Sequence, residues 1–486
     1  LCYIPSIALF RQDDTMRYTD HLRQFMDGEG RLNDFLALRG SRLIFGGRVD
    51  LLDLTADHGA PLEVALCPQI TRRVHEMQAA FDAAARATGY RGGFLYAYAT
   101  KANFAREATG TAVASGAHYE TSSAFDVRIA RRLWEEGLLP PDRLVICNGS
   151  KEPAYIRAIL DLRLAGFANV VPVLDDPLEL EALIDCPEPL LLGVRERKDA
   201  DDIASGATYG YDRFGMLPDE LEAVARRVAG TGHRLALYHS MVGSQLDDTA
   251  FFVREIRESL EGFARLRPHA PHLEYFDFGG GVPTGAYHLG FAFDYAAFAA
   301  ELQRMVAALC DARGLPHPHL VGEFGRYTVA DHGAHVFRLG RLKRGHAGAP
   351  PWYLLDGSLM VALPDILIVK GQQFICLALN HLGAEAGPVV LGGRRTCDSD
   401  DFYPREGDPP LVLPLVRPED LAREPLLVAF FGTGAYQAML SGEGGAHHCL
   451  APEAPKVILE ERGGALVASV TPEQTMGDVL AELGYR

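Results

Sequence analysis

The residues of this chain best suited to joint chemistry each follow, or end, a short β-branched or aromatic run. Lys101 closes GGFLYAYATK, Glu120 sits in AHYETSS, and Arg195 in LLLGVRERKD. His239, Ser244 and Gln245 lie in and after LALYHSMVG, Gly280 and Gly281 close HLEYFDFGGG, and Glu323 and Arg326 stand in HLVGEFGR. Singly, each has a plain explanation: a solvated lysine, a glycine loop, a salt-bridged glutamate. Together they supply an amine able to form a Schiff base, backbone amides able to cradle a phosphate, and a carboxylate able to keep a ring nitrogen protonated. Those are the parts that pyridoxal 5′-phosphate requires if its ring is to act as an electron sink for a carbanion.

Such residues must be brought to one place by the elements that carry them. The eight runs, which end at residues 101, 123, 149, 175, 199, 243, 281 and 326, alternate with amphipathic segments such as AFDVRIARRLWEEGLL, PDELEAVARRVAG and FFVREIRESLEGFARL. Apolar period switches between 2 and 3.6 each time. Eight strand-plus-helix units predict an α/β fold, a (β/α)8 TIM barrel, with the chemical residues on its C-terminal rim. A doubly wound open sheet is the alternative, and no Gly-rich first turn supports it. Beyond residue 330, AHVFRLGRL, PWYLLDG, DILIVKG, GPVVLGG, LLVAFF, KVILEER and ALVASV read as strands of an antiparallel β domain, a sandwich or small barrel. RLIFGGRVD and PLEVALC, near the start, have the same texture. The expected division is an N-terminal segment, 1–70, that joins the β domain, a barrel over 71–330, and a β domain over 331–486.

Composition bounds the partners. The 486 residues carry a net charge of −17, a field that repels phosphate backbones and anionic membrane surfaces. Neither nucleic acid nor membrane is an expected partner. Eight cysteines show no zinc-ligand spacing, so no metal site is expected, and reduced thiols point to the cytoplasm. The opening LCYIPSIALF lacks the charge and cleavage pattern of a signal peptide and is too short to span a bilayer.

YATKAN, ETSSAFDV, FDFGGG, GEFGRY, TCDSDD and GTGAYQ resemble the signature segments of the fold type III pyridoxal phosphate decarboxylases, the ornithine/diaminopimelate/arginine decarboxylase superfamily. ICNGSKEPAYIRAIL, YGYDRFGM, HSMVGSQ and DGSLMVALPD resemble most its biosynthetic arginine decarboxylase branch. The resemblance, over about residues 60 to 450, implies that Lys101 carries the cofactor as a Schiff base and Glu323 pairs with the ring nitrogen. It implies phosphate binding by Ser244, Gly280, Gly281, Arg326 and Tyr436. Glu120 and Arg195 would flank the ring, with Asp126 behind Glu120. It further implies a homodimer in which Cys397, as proton donor, and Asp398 serve the other subunit's site. Asp356, Asp365, Asp398 and Asp401 are the carboxylates available for a cationic substrate tail, with Asp365 open to reading as an ordinary turn residue.

Two departures stand out. The superfamily's ring-stacking histidine is Met241 here, while His239 lies two residues earlier on the same inward face and becomes a further catalytic candidate one layer lower. The helical insertion and C-terminal extension of the longer arginine decarboxylases have no counterpart after Arg326. The leading expectation is decarboxylation of L-arginine to agmatine in polyamine-type metabolism. Ornithine, lysine, diaminopimelate or a carboxy-polyamine as substrate, a racemase on the same barrel, and a non-catalytic regulatory homologue are the alternatives.

Overall fold

The computed structural model describes residues 16–198, 213–369, 371–394 and 399–485. The N-terminal run to residue 15, and Cys397 with Asp398, lie outside them.

Three short strands, β1 (Leu36–Arg39), β2 (Arg42–Phe45) and β3 (Val49–Asp50), form a small antiparallel sheet, and β4 (Leu62–Leu66) follows. Next come eight parallel strands: β5 (Phe94–Ala99), β6 (His118–Thr121), β7 (Val145–Cys147), β8 (Val170–Leu174), β9 (Leu191–Arg195), β10 (Arg234–His239), β11 (Tyr275–Asp277) and β12 (His319–Phe324). They close into a barrel, since β12 pairs with β5 from Leu320↔Phe94 to Phe324↔Tyr98. Closure rules out the open sheet. The strands are shorter than the apolar runs because each run's last residues leave the ladder for the rim, where Lys101, Gly280, Gly281 and Arg326 stand, while Glu120, Arg195, His239 and Glu323 keep their places in the ladder. Helices at Ala124–Glu135, Pro218–Ala229 and Thr249–Leu266 occupy the expected amphipathic segments.

The barrel interior is layered by the two-residue period of its strands. Ala97, Ile146, Val171, Val173, Leu237 and Val321 form an apolar plug, all 2% exposed or less. Two residues further on, three of these strands turn polar side chains inward: Ile146 gives way to Asn148, Leu237 to His239 and Val321 to Glu323. The opposite faces of the strands pack outward, as where Phe81 of the helix Pro68–Thr88 stacks on Phe94 with centroids 3.7 Å apart.

The second sheet comprises β4 and β13 (Gly333–Lys343), β14 (Trp352–Leu355), β15 (Ile375–Ala378), β16 (Ala386–Gly392), β17 (Phe402–Tyr403), β18 (Leu411–Pro414), β19 (Leu427–Phe431), β20 (Lys456–Arg462) and β21 (Ala465–Thr471). Both ends of the chain thus build it, through β4 between β13 and β20. The sheet is mixed rather than wholly antiparallel, because β4–β20 and β14–β16 run parallel. Two local expectations change. RLIFGGRVD contributes to the separate three-stranded sheet, whose Phe45 packs against Phe431 of β19 at 5.5 Å. DILIVKG is not a strand: Pro364 caps a short helix, Asp365–Ile368, whose first-turn aspartate suits a helix start.

Asp331, in the turn after the barrel, pins the barrel's first helix to this second sheet. Its fully buried carboxylate accepts from Arg72 and Arg73, each with a nitrogen 2.8 Å away. Asp331→Ala would leave the Arg73 guanidinium, whose side chain is 4% exposed, with only the half-exposed Asp34 and Glu76 as partners. The expected cost is about 3–5 kcal/mol, read from denaturant unfolding; a loss below about 1 kcal/mol would show that the pair does not hold the junction.

Candidate active site

Lys101 sits in a 3₁₀ turn, Thr100–Ala102, directly after β5. A cavity opens beside it, lined also by Met241, Ser244, Gly280, Gly281, Glu323, Arg326 and Tyr436. Solvent reaches Lys101 through the cavity mouth, yet protein surrounds it, and Glu120, ahead of Tyr436 and Glu323, holds its ammonium above the ordinary lysine range.

The two faces of this cavity differ in character. On one side, Gly280 and Gly281 follow β11 because a side chain would not fit. A Cβ at Gly280 would lie 2.8 Å from the Glu323 carbonyl oxygen, and one at Gly281 would lie 3.0 Å from that of Gly243, at a φ of +99° that suits glycine. The main chain can therefore approach a ligand closely there. Arg326, just past β12, brings a cation to the same side. Its Nη1 donates to Asp365 Oδ2 at 2.8 Å and to the Tyr287 hydroxyl at 3.3 Å, and its guanidinium lies 4.4 Å from the Tyr436 ring centroid. Asp365 is 1% exposed and is also tied to Gln437, so it acts as the counter-ion of Arg326 rather than as a free turn residue. Gln245, with φ of 56°, and Tyr436, with φ of 66°, both hold a left-handed conformation at the cavity wall. Tyr436 is fixed there by its own N–H donating to Ala102 O at 2.7 Å, which docks the second sheet's loop onto the lysine turn.

Below lies the polar layer. Glu323 Oε1 accepts from Asn148 Nδ2 at 2.7 Å, and its Oε2 lies 3.4 Å from His239 Nε2. His239, Asp277 and Glu323 each bring one polar atom within 4.8 Å of the others, all three residues buried. Burial alone would raise the Glu323 carboxyl, but His239 and Asn148 bring it down to about 2. Glu120, 1% exposed, behaves oppositely: burial first, then the nearby Glu323, push it up to about 8. Burial, then Glu323, also hold Asp277 well above the carboxylate range. Asp126 stands behind this layer with its carboxylate on the Ser122 amide at 3.1 Å. Arg195 ends β9 with its guanidinium 4.7 Å from the Phe214 ring centroid.

Other candidates fall elsewhere. His239 is 2% exposed and does not line the cavity, since the inward face places it one layer below. Asp356 lies in a cleft of the second sheet with Glu63 and His335, bonded to the Arg338 amide at 2.8 Å. Asp401 is buried and accepts from the Met360 amide at 2.9 Å. Neither lines the Lys101 cavity within this chain. Asn148, Asp277 and the pairing of Asp365 with Arg326 were not legible as functional. Asn148 could have been found from its position two residues above an inward apolar residue.

Residues 68–330 match the family described as pyridoxal-dependent decarboxylase, pyridoxal binding domain. The chain belongs to this family. The donor set fits the cofactor: an amine for its aldehyde, an arginine with close-approach main chain and two hydroxyls for its phosphate, and an ionised carboxylate for its pyridine nitrogen. Glu120 Oε2 and Gln245 Oε1, buried and without a hydrogen bond, leave polar capacity at the same site. Among the chain's relatives, arginine decarboxylase 1 of Oryza sativa is 28% identical over 317 residues, 61% of this chain and 45% of that protein. The chain spans about half the length of the curated relatives it matches. The biosynthetic arginine decarboxylase of Campylobacter jejuni superposes with a TM-score of 0.79 at 17% identity, covering 97% of this chain and 91% of that one. Diaminopimelate decarboxylase of M. jannaschii gives 0.77 at 19% identity, covering 93% and 98%. Likenesses at such low identity concern the fold.

Gly281→Ala would place a Cβ in the cradle at an unfavourable φ. An affinity for pyridoxal phosphate lower by about tenfold is expected from that one lost approach, read by absorbance titration. Unchanged affinity would move the phosphate away from this turn.

Proposed function

We propose that the protein decarboxylates a basic amino acid, L-arginine to agmatine and carbon dioxide, with pyridoxal phosphate held at Lys101. The observation that carries the proposal is the convergence of Lys101, the Gly280–Arg326–Tyr436 side and the ionised Glu323 on one cavity. The arginine decarboxylases among its relatives, and the branch-like segments of its sequence, support this substrate.

Lys101 would bind the cofactor's aldehyde, and Ser244, the Gly280–Gly281 main chain, Arg326 and Tyr436 its phosphate. Glu323 would hold a proton at the pyridine nitrogen by charge pairing, and Glu120 with Arg195 would flank the ring. The cofactor supplies a conjugated cationic ring that accepts the electron pair left behind by carbon dioxide. Met241, at the cavity wall, offers a thioether that packs against a ring and excludes water but carries no proton. We assign protonation of the substrate carbon to Cys397 and recognition of the guanidinium to Asp398, both from the partner of a homodimer. Asp401 would anchor the segment that bears them, through its bond to the Met360 amide. Asp356 is the remaining carboxylate for the substrate's cationic end, and its place in the second-sheet cleft makes any such role one across a subunit boundary. Among the described residues Cys67, Cys147, Cys186, Cys310 and Cys376 carry free thiols, which fits a reducing compartment such as the cytoplasm. Among the described residues no helix is long and apolar enough to cross a membrane.

Incubation of the cofactor-loaded protein with a mixture of L- and D-amino acids, followed by mass spectrometry, tests the substrate. Agmatine from L-arginine alone is the expected product; another amine would keep the chemistry and overturn the substrate. Lys101→Ala should lose both the visible absorbance of bound cofactor and its trapping by borohydride, and a cofactor still trapped would remove Lys101 from its role.

A further inference from the structure

Asn148 follows β7 and is 7% exposed. Its single amide nitrogen donates to Glu120 Oε1 on neighbouring β6 at 3.0 Å and to Glu323 Oε1 on β12 at 2.7 Å. In the barrel order β12 stands three places from β7, so the second bond crosses the lumen. An amide NH₂ has two N–H bonds, and both go to carboxyl oxygens. The two carboxyl groups therefore meet within hydrogen-bond reach of one atom, above an apolar plug that closes the layer from below.

Two carboxylates held so close in a buried layer do not both ionise. Their remaining partners decide which one keeps a proton. Glu323 Oε2 faces His239 at 3.4 Å, whereas Glu120 Oε2 is buried with no hydrogen bond. The other charged or titratable groups around the pair are Lys101 after β5, Tyr119 on β6, Asp126 on the helix after β6, Cys147 on β7, Tyr155 on the helix after β7, Arg195 on β9 and Asp277 on β11. Asp277 is itself suppressed by burial and by Glu323, so it adds little negative charge.

We infer that Asn148 is a positioning residue for the protons of this layer: by donating to both carboxyl groups at once it fixes them side by side, so that His239, which faces Glu323 alone, leaves Glu323 as the anion and Glu120 as a neutral acid beside Lys101. Glu120 then carries its proton beside Lys101 with one oxygen still unpartnered, while Glu323 stays free to pair with a protonated ring nitrogen. The carboxyl value of about 8 for Glu120 agrees with this division. Above that pH the layer gains a second anion, which strengthens the hold on the Lys101 ammonium and makes the amine less available. The consequence for the cofactor rests on the pyridoxal reading of the cavity, but the proton pattern belongs to the chain itself.

Infrared difference spectroscopy of the cofactor-loaded protein, titrated through about pH 8, reads the pattern directly. The expected result is a protonated-carboxyl stretch that Glu120→Gln removes and that fades as the pH rises through that value. In Asn148→Leu the amide no longer stabilises the Glu120 anion, so the midpoint should rise by about one unit or more. Asn148→Ser reads the same shift should the leucine variant not fold. A neutral-pH spectrum with no band that Glu120→Gln removes overturns the inference, as does a folded Asn148 variant that titrates like the parent. If no cofactor bound at all, the same titration on the cofactor-free protein would still decide the proton pattern, so the two failures are separable.

Discussion

Three carboxyl groups buried in one barrel layer are the constraint that shapes the rest of the site. Glu120, Asp277 and Glu323 are each no more than 6% exposed and sit above a plug of apolar side chains, so water can screen them only from the cavity side. Burying even one carboxylate is costly without a partner. The fold meets that cost unequally. Glu323 receives His239 and one N–H of Asn148, which bring its carboxyl down, whereas burial first, and then the Glu323 charge, push the other two up. A site with one fixed anion at its floor and an ammonium at its rim is polarised before any ligand arrives.

The opposite end of the cavity is polarised the other way, and the second sheet does it. Arg326 belongs to the barrel, but Asp365, Gln437 and Tyr436, which hold its guanidinium in place, come from beyond residue 330. The Tyr436 amide bonds to the lysine turn itself, and Asn103 donates to Gly434 O at 2.9 Å. The barrel therefore supplies the reactive groups, while the second sheet supplies their orientation. The buried ion pairs of Asp331 with Arg72 and Arg73 keep the two in register.

The barrel was legible because parallel strands buried on both faces read as apolar runs, and eight of them at regular spacing leave little choice of topology. The rim residues were legible for the same reason: Lys101, Glu323 and Arg326 each follow such a run by a residue or two. What stayed hidden depended on contacts across the lumen or between sheets. Nothing local distinguishes Asn148 from a turn asparagine ahead of a glycine, and its two acceptors lie 28 and 175 residues away. Asp365 sits in an apolar run whose helical start shows only once Pro364 is seen to cap it. Period-2 reasoning did place His239 on the inward face, one layer beneath Met241, and there it meets Glu323 rather than the cavity.

Met241 narrows where a proton can come from. The titratable groups that line the cavity among the described residues are Lys101, Glu323, Arg326, Tyr327 and Tyr436. An arginine does not give up its proton in a protein, and Glu323 has none to give at neutral pH. Burial, the largest influence on Tyr327, raises its hydroxyl out of the range in which it would ionise. Tyr436 has its ring against the Arg326 guanidinium. Among the groups that line the cavity Lys101 is thus the acid–base group, and the buried Glu120 beside it is the nearest other one. A reaction that must place a proton on a carbon while the lysine attends to the cofactor needs a second donor from outside this list. That need is independent of the motif that suggested Cys397, and it supports the proposal of a site completed by another subunit.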